Sequence, residues 1–236
     1  MPRTVGILGG MGPEATILLQ QKLIAAVPAR DDADHVPLLI DMNPQVPSRI
    51  AHLIEGDGED PGPTLGAMAK RLEGAGAKAI AMPCNTAHHY AEAIRGAIGV
   101  PFLDMVALAS DHAAARLGPG GRVGLLASPA VRMTGLYEAA LGVRGLDTLW
   151  PDDDAPMLAA IREIKAGGGE DAAKAVVAAA DELTARGAGL LFVACTEFSL
   201  IADRLAPAVP VIDTLDILTD EIVAFAQDAN PTEQSG

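Results

Sequence analysis

The two cysteines of this chain, Cys84 and Cys195, have the positions that most strongly indicate chemistry. Each follows a short apolar run and precedes polar residues, Asn85-Thr86 after the first and Thr196-Glu197 after the second. We expect a helix to begin at both places, and a helix N-terminus lowers the pKa of a thiol and binds a carboxylate. A thiolate and a thiol on opposite faces of a carbon acid can remove one α-proton and return another, which inverts a stereocentre without a cofactor. The alternative is that both cysteines are small buried apolar residues.

Two cations on loops are candidates for holding an acidic substrate. Arg49 follows a proline-rich segment beyond the second predicted strand, and Lys165 stands just before residues 166–169, whose glycines must end its helix. A given lysine or arginine is usually only solvated at the surface. In a chain this acidic, however, cations on loops at the ligand-binding edge suit a substrate carboxylate.

The glycine-rich turn after the first predicted strand, residues 9–15, allows two interpretations. The spacing of residues 10, 12 and 15 formally fits the dinucleotide-binding fingerprint of a Rossmann oxidoreductase. Against it, Pro13 lacks an N–H group, and Glu14 places negative charge where a pyrophosphate would lie. We therefore predict a turn that lets the backbone approach a small ligand closely, with a purely structural turn as the alternative.

A metal site is not predicted from the residues around the first cysteine. Cys84, His88 and His89 are residue types that bind zinc, but one short cluster without a CxxC pair offers too few ligands. One of the two histidines is expected instead to cap, to pack or to tune the neighbouring thiol. The acidic run at residues 152–154 lacks the glycine and the distal glutamate of a calcium loop, which favours a solvated turn.

The composition of the chain excludes several classes of protein. Half of the 236 residues are hydrophobic, which rules out intrinsic disorder and allows a sizeable core. Because 31 acidic residues against 17 basic ones give a net charge of -14, nucleic acids and anionic membranes are not expected as partners. No apolar stretch approaches the ~20 residues of a membrane-spanning helix, and no secretory signal is visible. Two cysteines are too few for a disulfide scaffold, which predicts a cytoplasmic protein.

Short apolar runs alternate with longer helical segments along the chain. Unbroken apolar runs are typical of strands covered on both faces, and helices between them indicate parallel βαβ units. The predicted fold class is therefore α/β. The predicted strands are residues 5–8, 38–41, 79–82, 101–104, 122–126, 148–150, 190–193 and 209–213. The predicted helices include residues 14–26, 65–75, 171–186 and 215–226.

The two halves of the chain resemble copies of each other. Three equivalent runs, one of them carrying the cysteines, recur in the same order at offsets of 118, 111 and 109 residues. Parallel strands in general are rich in Val, Ile and Leu, but the shared order of the three runs favours duplication. We predict two similar domains, residues 1–107 plus 214–236 and residues 108–213, related by pseudo-twofold symmetry, each with a four-stranded parallel sheet. Because such sheets bind ligands at the carboxyl ends of their strands, each half would bring one thiol to a shared cleft.

These motifs resemble the cofactor-independent aspartate/glutamate racemase family, specifically its aspartate racemase branch. The run GILGGMGPEAT at residues 6–16 resembles the opening motif of that branch, and the runs MPCNTAH at 82–88 and CTE at 195–197 resemble its two cysteine motifs. The resemblance implies two α/β domains with the active site between them, a homodimer, and no PLP or other cofactor. It also makes Cys84 and Cys195 the two acid/base residues.

The resemblance further implies which residues hold a small acidic amino-acid substrate. Aspartate-specific members use an arginine and a later lysine for the side-chain carboxylate, and Arg49 and Lys165 occupy matching places. Asn85, Thr86 and Thr196 would hold the α-carboxylate or the amino group. The full set of predicted substrate-binding residues is Met11, Arg49, Asn85, Thr86, Lys165, Thr196 and Glu197.

Two departures from the family pattern bear on the choice of substrate. Family members usually carry Gly-Thr after the fifth strand, where this chain has Ser128-Pro129 followed by Ala130-Val131, so a hydroxyl group is lost. Ala194 replaces the usual glycine before the second cysteine. The leading hypothesis is a PLP-independent aspartate racemase. Its alternatives are a broad-specificity amino-acid racemase, a maleate isomerase or a hydantoin racemase on the same scaffold, a non-catalytic binding protein for acidic metabolites, and a Rossmann oxidoreductase.

Overall fold

The structure of the chain, a computed structural model, describes residues 2–228. Within this range the chain forms eight strands in two sheets. The strands are β1 (Val5–Gly9), β2 (Leu38–Met42), β3 (Ala79–Ala81), β4 (Phe102–Leu103), β5 (Arg122–Ala127), β6 (Asp147–Leu149), β7 (Leu190–Ala194) and β8 (Val211–Asp213). All eight predicted strands are confirmed, with every end within two residues of its predicted position.

Both sheets are entirely parallel and have the same strand order. The first sheet runs β2-β1-β3-β4 and the second β6-β5-β7-β8, so each strand of one has its counterpart in the other. In the first sheet Val5 pairs with Leu38 and Ala79, and in the second Val123 pairs with Leu190. The central strands β1, β3 and β7 are buried along their whole length, because helices cover both faces of each sheet. The predicted α/β fold with two four-stranded parallel sheets is confirmed.

Helices connect successive strands and form the outer layers. They are α1 (Pro13–Ala26), α2 (Gly62–Gly74), α3 (Ala91–Arg95), α4 (Met105–Leu117), α5 (Pro129–Thr134), α6 (Leu136–Gly142), α7 (Ala155–Lys165), α8 (Glu170–Ala185) and α9 (Thr214–Gln227). The four helices predicted above correspond to α1, α2, α8 and α9. Among the described residues, none of the helices combines the length and the apolar character needed to span a lipid bilayer.

A glycine at the same place in each half lets a helix approach its sheet closely. A Cβ atom on Gly6 of β1 would lie 3.0 Å from the Cβ of Leu72 in α2. A Cβ atom on Gly124 of β5 would lie 3.1 Å from the Cβ of Leu183 in α8. Both distances are shorter than an ordinary van der Waals contact. Strands β1 and β5 therefore each need a glycine, which has no side chain, at this position. This shared packing detail supports the duplication that the sequence indicates.

Helices α4 and α9 join the two halves. Met105, at the start of α4, packs with Leu215 of α9 in the core on one face of the first sheet. Val106, the next residue, packs in a core of the second sheet. Residues 105–110, where the sequence suggests a boundary, therefore lie inside one continuous helix that contributes to both cores.

The division into two domains, residues 1–107 plus 214–236 and residues 108–213, stays a prediction. The packing of α9 against the first sheet agrees with assigning the last helix to the first domain. Residues 1 and 229–236 of that assignment lie outside the described residues.

Candidate active site

The two cysteines lie beyond the carboxyl ends of equivalent strands. Cys84 stands three residues after Ala81, the last residue of β3, and Cys195 directly follows Ala194, the last residue of β7. Both thiols are free, both residues are 6% exposed, and both line the same cavity. The strand topology therefore delivers one thiol from each half to a common point, at the end of the sheet where parallel α/β folds bind ligands.

This cavity brings together most of the predicted site residues. Its volume is about 60 Å³, whereas pockets for drug-sized ligands measure roughly 300–1,000 Å³, so only a small molecule fits. The predicted residues that line it are Met11, Arg49, Cys84, Thr86, Lys165, Cys195 and Glu197. Sequence reasoning did not include four further lining residues, Ser48, Ile50, Ser128 and Ile161.

The environment of Cys84 contains opposing influences on its thiol. Burial raises the pKa of Cys84 above its ordinary value, while the positive charge of Arg49 and the N–H group of Ala87 favour the thiolate. A helical segment begins after each cysteine, as predicted, and a backbone N–H group there lowers the pKa of each thiol, but the net pKa of both thiols is raised. The segments that follow the cysteines, Thr86–Tyr90 and Phe198–Arg204, are 3₁₀ helices, and the desolvation of a buried thiolate outweighs their N–H groups.

Cys195 has an acidic side chain at hydrogen-bond distance. Among the described residues, Cys84 has none. Its Sγ atom donates a hydrogen bond to Oε2 of Glu197 across 3.1 Å. Burial raises the pKa of the Cys195 thiol well above its ordinary value, and the negative charge of Glu197 raises it further. The other carboxylate oxygen of Glu197, Oε1, lies 3.2 Å from Nζ of Lys165. Thiol, carboxylate and ammonium thus form a short chain along one wall.

The two predicted cations reach the cavity from different halves. The guanidinium of Arg49 donates from one nitrogen to the carbonyl oxygens of Pro47 at 2.9 Å and Val46 at 3.3 Å, which fixes its position. Lys165 is the last residue of α7, and its side chain is 44% exposed. The site therefore offers one positive charge anchored by backbone carbonyl groups and one partly exposed positive charge for the carboxylates of a ligand.

Two hydroxyl groups meet across the boundary between the halves. Oγ1 of Thr86 lies 3.3 Å from Oγ of Ser128, which also caps α5 by accepting the N–H of Val131 at 3.2 Å. Ser128 thus supplies a hydroxyl in the segment where the usual family threonine is missing. Its place after β5 matches that of the glycine-rich turn after β1, and in both a proline follows, so comparing the two copies could have found it.

The glycine-rich turn is held in one conformation beside the cavity. Gly10 has φ +93°, and a Cβ atom there would lie 2.5 Å from the carbonyl oxygen of Asn43, so only glycine fits. The Gly10 N–H group donates to Oγ1 of Thr16 across 3.1 Å. These constraints bring the buried Met11 to the cavity wall, in agreement with a turn that approaches a small ligand.

Comparison with known proteins identifies the family. A model described as Asp/Glu/Hydantoin racemase matches residues 8–222 of the chain. The chain belongs to the Asp/Glu/hydantoin racemase family. It is therefore an isomerase, and the dinucleotide-binding interpretation of the glycine-rich turn is not retained.

Individual relatives of this racemase agree with the family assignment. The chain is 27% identical over 228 residues to the broad specificity amino-acid racemase RacX of Bacillus subtilis (strain 168), covering 93% of this chain and 96% of that one. Its structure matches Picrophilus torridus aspartate racemase with a TM-score of 0.81 and 28% identity, over 95% and 94% of the two chains. A match to glutamate racemase isoform RacE1 of Bacillus anthracis, with a TM-score of 0.66 at 18% identity over 95% and 82% of the chains, shows the common fold.

Two predicted substrate-binding residues of the racemase, Asn85 and Thr196, are not among the described residues that line the cavity. Both are buried. The amide nitrogen of Asn85 donates to Oγ1 of Thr214 across 3.1 Å, and its oxygen accepts the hydroxyl of Tyr137 at 2.6 Å. The structure therefore does not support substrate binding by the Asn85 side chain, whose contacts tie the first half to the second.

His88 is committed to positioning the first cysteine motif. Its Nε2 accepts the N–H group of Met105 at 3.1 Å, so Nδ1 carries the proton and donates to the carbonyl oxygen of Cys84 at 2.8 Å. Burial lowers the pKa of this imidazole and keeps it neutral. With both ring nitrogens engaged, His88 has no lone pair to offer a metal. Residues 2–228 also contain no group of three or more His, Cys, Asp and Glu residues that could hold a metal ion.

Proposed function

We propose that this racemase interconverts L- and D-aspartate without PLP, with Cys84 and Cys195 as its two acid/base residues. The observation that carries the proposal is that one free, buried thiol from each half lines a single small cavity together with Arg49 and Lys165. The named aspartate racemase activity of the Picrophilus torridus protein, at 28% identity, supports the same choice.

Two cations at one cavity favour a dicarboxylate substrate. Arg49 and Lys165 would hold the side-chain carboxylate of aspartate. The hydroxyls of Thr86 and Ser128 would donate hydrogen bonds to its α-carboxylate. A hydantoin ring carries no carboxylate and would leave the positive charge of Arg49 in the cavity without an anionic partner. This charge pattern favours an acidic substrate over a hydantoin.

The proposed reaction moves one proton off the α-carbon and another onto it. A cysteine thiolate takes the α-proton, so that a C–H bond breaks and an S–H bond forms, while the electron pair spreads into the α-carboxylate. The opposite thiol then breaks its S–H bond and delivers its proton to the other face of the carbon. The total charge of the site is unchanged. Fixed cations and hydroxyl groups around the carboxylates stabilise the charge as it develops.

We further propose a cytoplasmic homodimer. Two unpaired cysteines suit a reducing compartment, and the family resemblance implies the dimer. A chain of 24.2 kDa that eluted at its monomer mass in size exclusion with light scattering would contradict the dimer.

The direct test follows α-proton exchange of L-aspartate in D₂O by ¹H NMR, with chiral chromatography of the product. Wild-type protein is expected to exchange the α-proton and to produce D-aspartate. Cys84→Ser and Cys195→Ser are expected to lose racemisation by a factor of about 10²–10⁴, because each lacks one proton-transfer group. No exchange with aspartate, glutamate or any other amino acid would overturn the proposal. Equal rates with neutral amino acids would leave a racemase but reject the preference for a dicarboxylate.

A further inference from the structure

Glu197 places a negative charge in a cavity that is otherwise suited to a dianion. Its side chain is 13% exposed, and both carboxylate oxygens are occupied, one by the thiol of Cys195 at 3.1 Å and the other by Lys165 at 3.2 Å. A carboxylate repels the carboxylates of an acidic substrate. Substrate binding by Glu197 stays a prediction, and the contacts that the structure gives its carboxylate point to a role at the thiol.

The two thiols are equally buried but differ in charge environment. Cys84 and Cys195 are each 6% exposed, so solvent access does not distinguish them. The charge of Glu197 disfavours a thiolate at both cysteines, but Cys84 also lies near the cations Arg49 and Lys165, which stabilise its thiolate. Cys195 instead donates directly to the Glu197 carboxylate. A thiol that donates to a carboxylate must keep its proton to make that bond.

We propose that Glu197 is a positioning residue that keeps the proton on Cys195, so that Cys84 is the cysteine that ionises first and acts as the base, while Cys195 acts as the acid. This assignment rests on the two-cysteine function proposed above and adds which of the two thiols loses its proton first. The pKa of both thiols is raised by burial, but only that of Cys195 is raised well above its ordinary value, with Glu197 as the next cause.

The assignment also explains how the starting state is restored. After one turnover Cys84 holds the α-proton as a thiol, and Cys195 is left as a thiolate beside the Glu197 carboxylate. Two anions in contact within a buried site repel each other strongly. Cys195 therefore regains a proton from solvent, while Cys84 releases its own proton to solvent, so that the number of protons at the site is unchanged.

The experiment measures the protonation of each thiol without substrate. Iodoacetamide alkylates thiolates, and peptide mass spectrometry reports the rate at each cysteine across a pH series. In wild-type protein Cys84 is expected to react at least about tenfold faster than Cys195 at pH 8, since each pKa unit changes the thiolate fraction up to tenfold. Glu197→Gln keeps the shape and a hydrogen-bond acceptor but removes the charge, and it is expected to reduce the difference to about threefold or less.

Two further variants make the result specific to the charge at this position. Glu197→Asp retains the carboxylate and is expected to keep Cys195 the slower thiol. Glu92→Gln makes the same carboxyl-to-amide change at a side chain that is 88% exposed, pairs with Arg95 and lies outside the cavity lining, and it should keep the wild-type ratio. A wild-type protein in which Cys195 reacts as fast as Cys84 overturns the assignment, even if the Gln variant fails to fold. An unchanged ratio in folded Glu197→Gln overturns it as well. Because labelling needs no substrate, absence of aspartate exchange would reject the proposed function through a separate measurement.

Discussion

Lys165 combines a functional position with little structural involvement. Its side chain is 44% exposed and its ion pair is with Glu197. Lys165→Gln removes the charge that would meet the side-chain carboxylate, so the KM for aspartate is expected to rise about tenfold, equivalent to ~1.4 kcal/mol of binding. Steady-state racemisation assays measure this change. Lys174→Gln is the matched control, because Lys174 forms an exposed ion pair with Asp171 on α8. A KM within twofold of wild type for Lys165→Gln would contradict the proposed role.

The location of a single residue could be predicted where it follows from the residue type and its place after a strand. It could not be predicted where it depends on a partner far away in the chain. The location of Cys84 and Cys195 could be predicted because a residue that follows a parallel strand lies at the carboxyl end of the sheet. The orientation of Asn85 could not, because its partner Thr214 lies 129 residues away in the chain. The same holds for Ser128, which meets Thr86 only after the two halves pack together.

At the scale of elements, equivalent aspartates cap α4 and α9 in different environments. Asp104 caps α4, and although burial raises its pKa, the N–H group of Ala107 and the guanidinium of Arg95 hold that pKa below its ordinary value. A lowered pKa stabilises the fold above pH ~4, and this contribution is lost as the pH falls through the folded-state value. Asp104→Asn is expected to lower the free energy of unfolding by about 1 kcal/mol at pH 7, with the difference shrinking on acidification in urea titrations.

Asp213, which caps α9, provides the opposite case. Burial raises its pKa, so its contribution to stability is present at low pH and is lost as the pH rises through the folded-state value. Asp213→Asn retains a capping side chain, and its effect on stability at pH 7 should be near zero or favourable. If Asp104→Asn and Asp213→Asn had the same effect and the same pH dependence, this account of the caps would be wrong.

The long elements were predictable because their patterns are local. Strands β1, β5 and β7 are unbroken apolar runs that end in Gly or Ala, and such runs suit strands buried on both faces. The π-helical turn Ala51–Glu55 and the 3₁₀ segment Thr86–Tyr90 were not predicted as such. Short helices of these types follow from how the chain packs around the cavity rather than from residue periodicity.

At the scale of the whole molecule, the duplication places a cavity that both thiols line at a contact between two similar halves. The sheets have the same strand order, and each contributes one thiol and one cation to the cavity. Near-equivalent halves suit a reaction whose substrate and product are mirror images. Glu197 breaks this equivalence, because the residue two places after the other cysteine, Thr86, is uncharged. The fold is thus nearly symmetric, while the proposed protonation of the two thiols is not.

The contact between the halves depends on a buried polar link that a single hydroxyl can test. The hydroxyl of Tyr137 in α6 donates to Oδ1 of Asn85, the residue next to Cys84, and Tyr137 is fully buried. Tyr137→Phe keeps the ring packing but leaves the Asn85 oxygen with only a long contact, 3.4 Å, to Thr214. The free energy of unfolding is expected to fall by about 1–2 kcal/mol. The kcat for aspartate should fall more than the KM changes, because the position of the Cys84 thiol is loosened while the cations are untouched.

Tyr90→Phe is the matched control for this prediction. The Tyr90 hydroxyl is buried and has no hydrogen-bond partner among the described residues, so its removal should leave stability unchanged or slightly increased. Urea unfolding followed by circular dichroism, together with racemisation kinetics, measures both effects on both variants. Equal losses of stability in the two variants would mean that the cost comes from altering a buried tyrosine in general. A loss confined to Tyr137→Phe, with kcat reduced, would tie the geometry of the first thiol to the contact between the two halves.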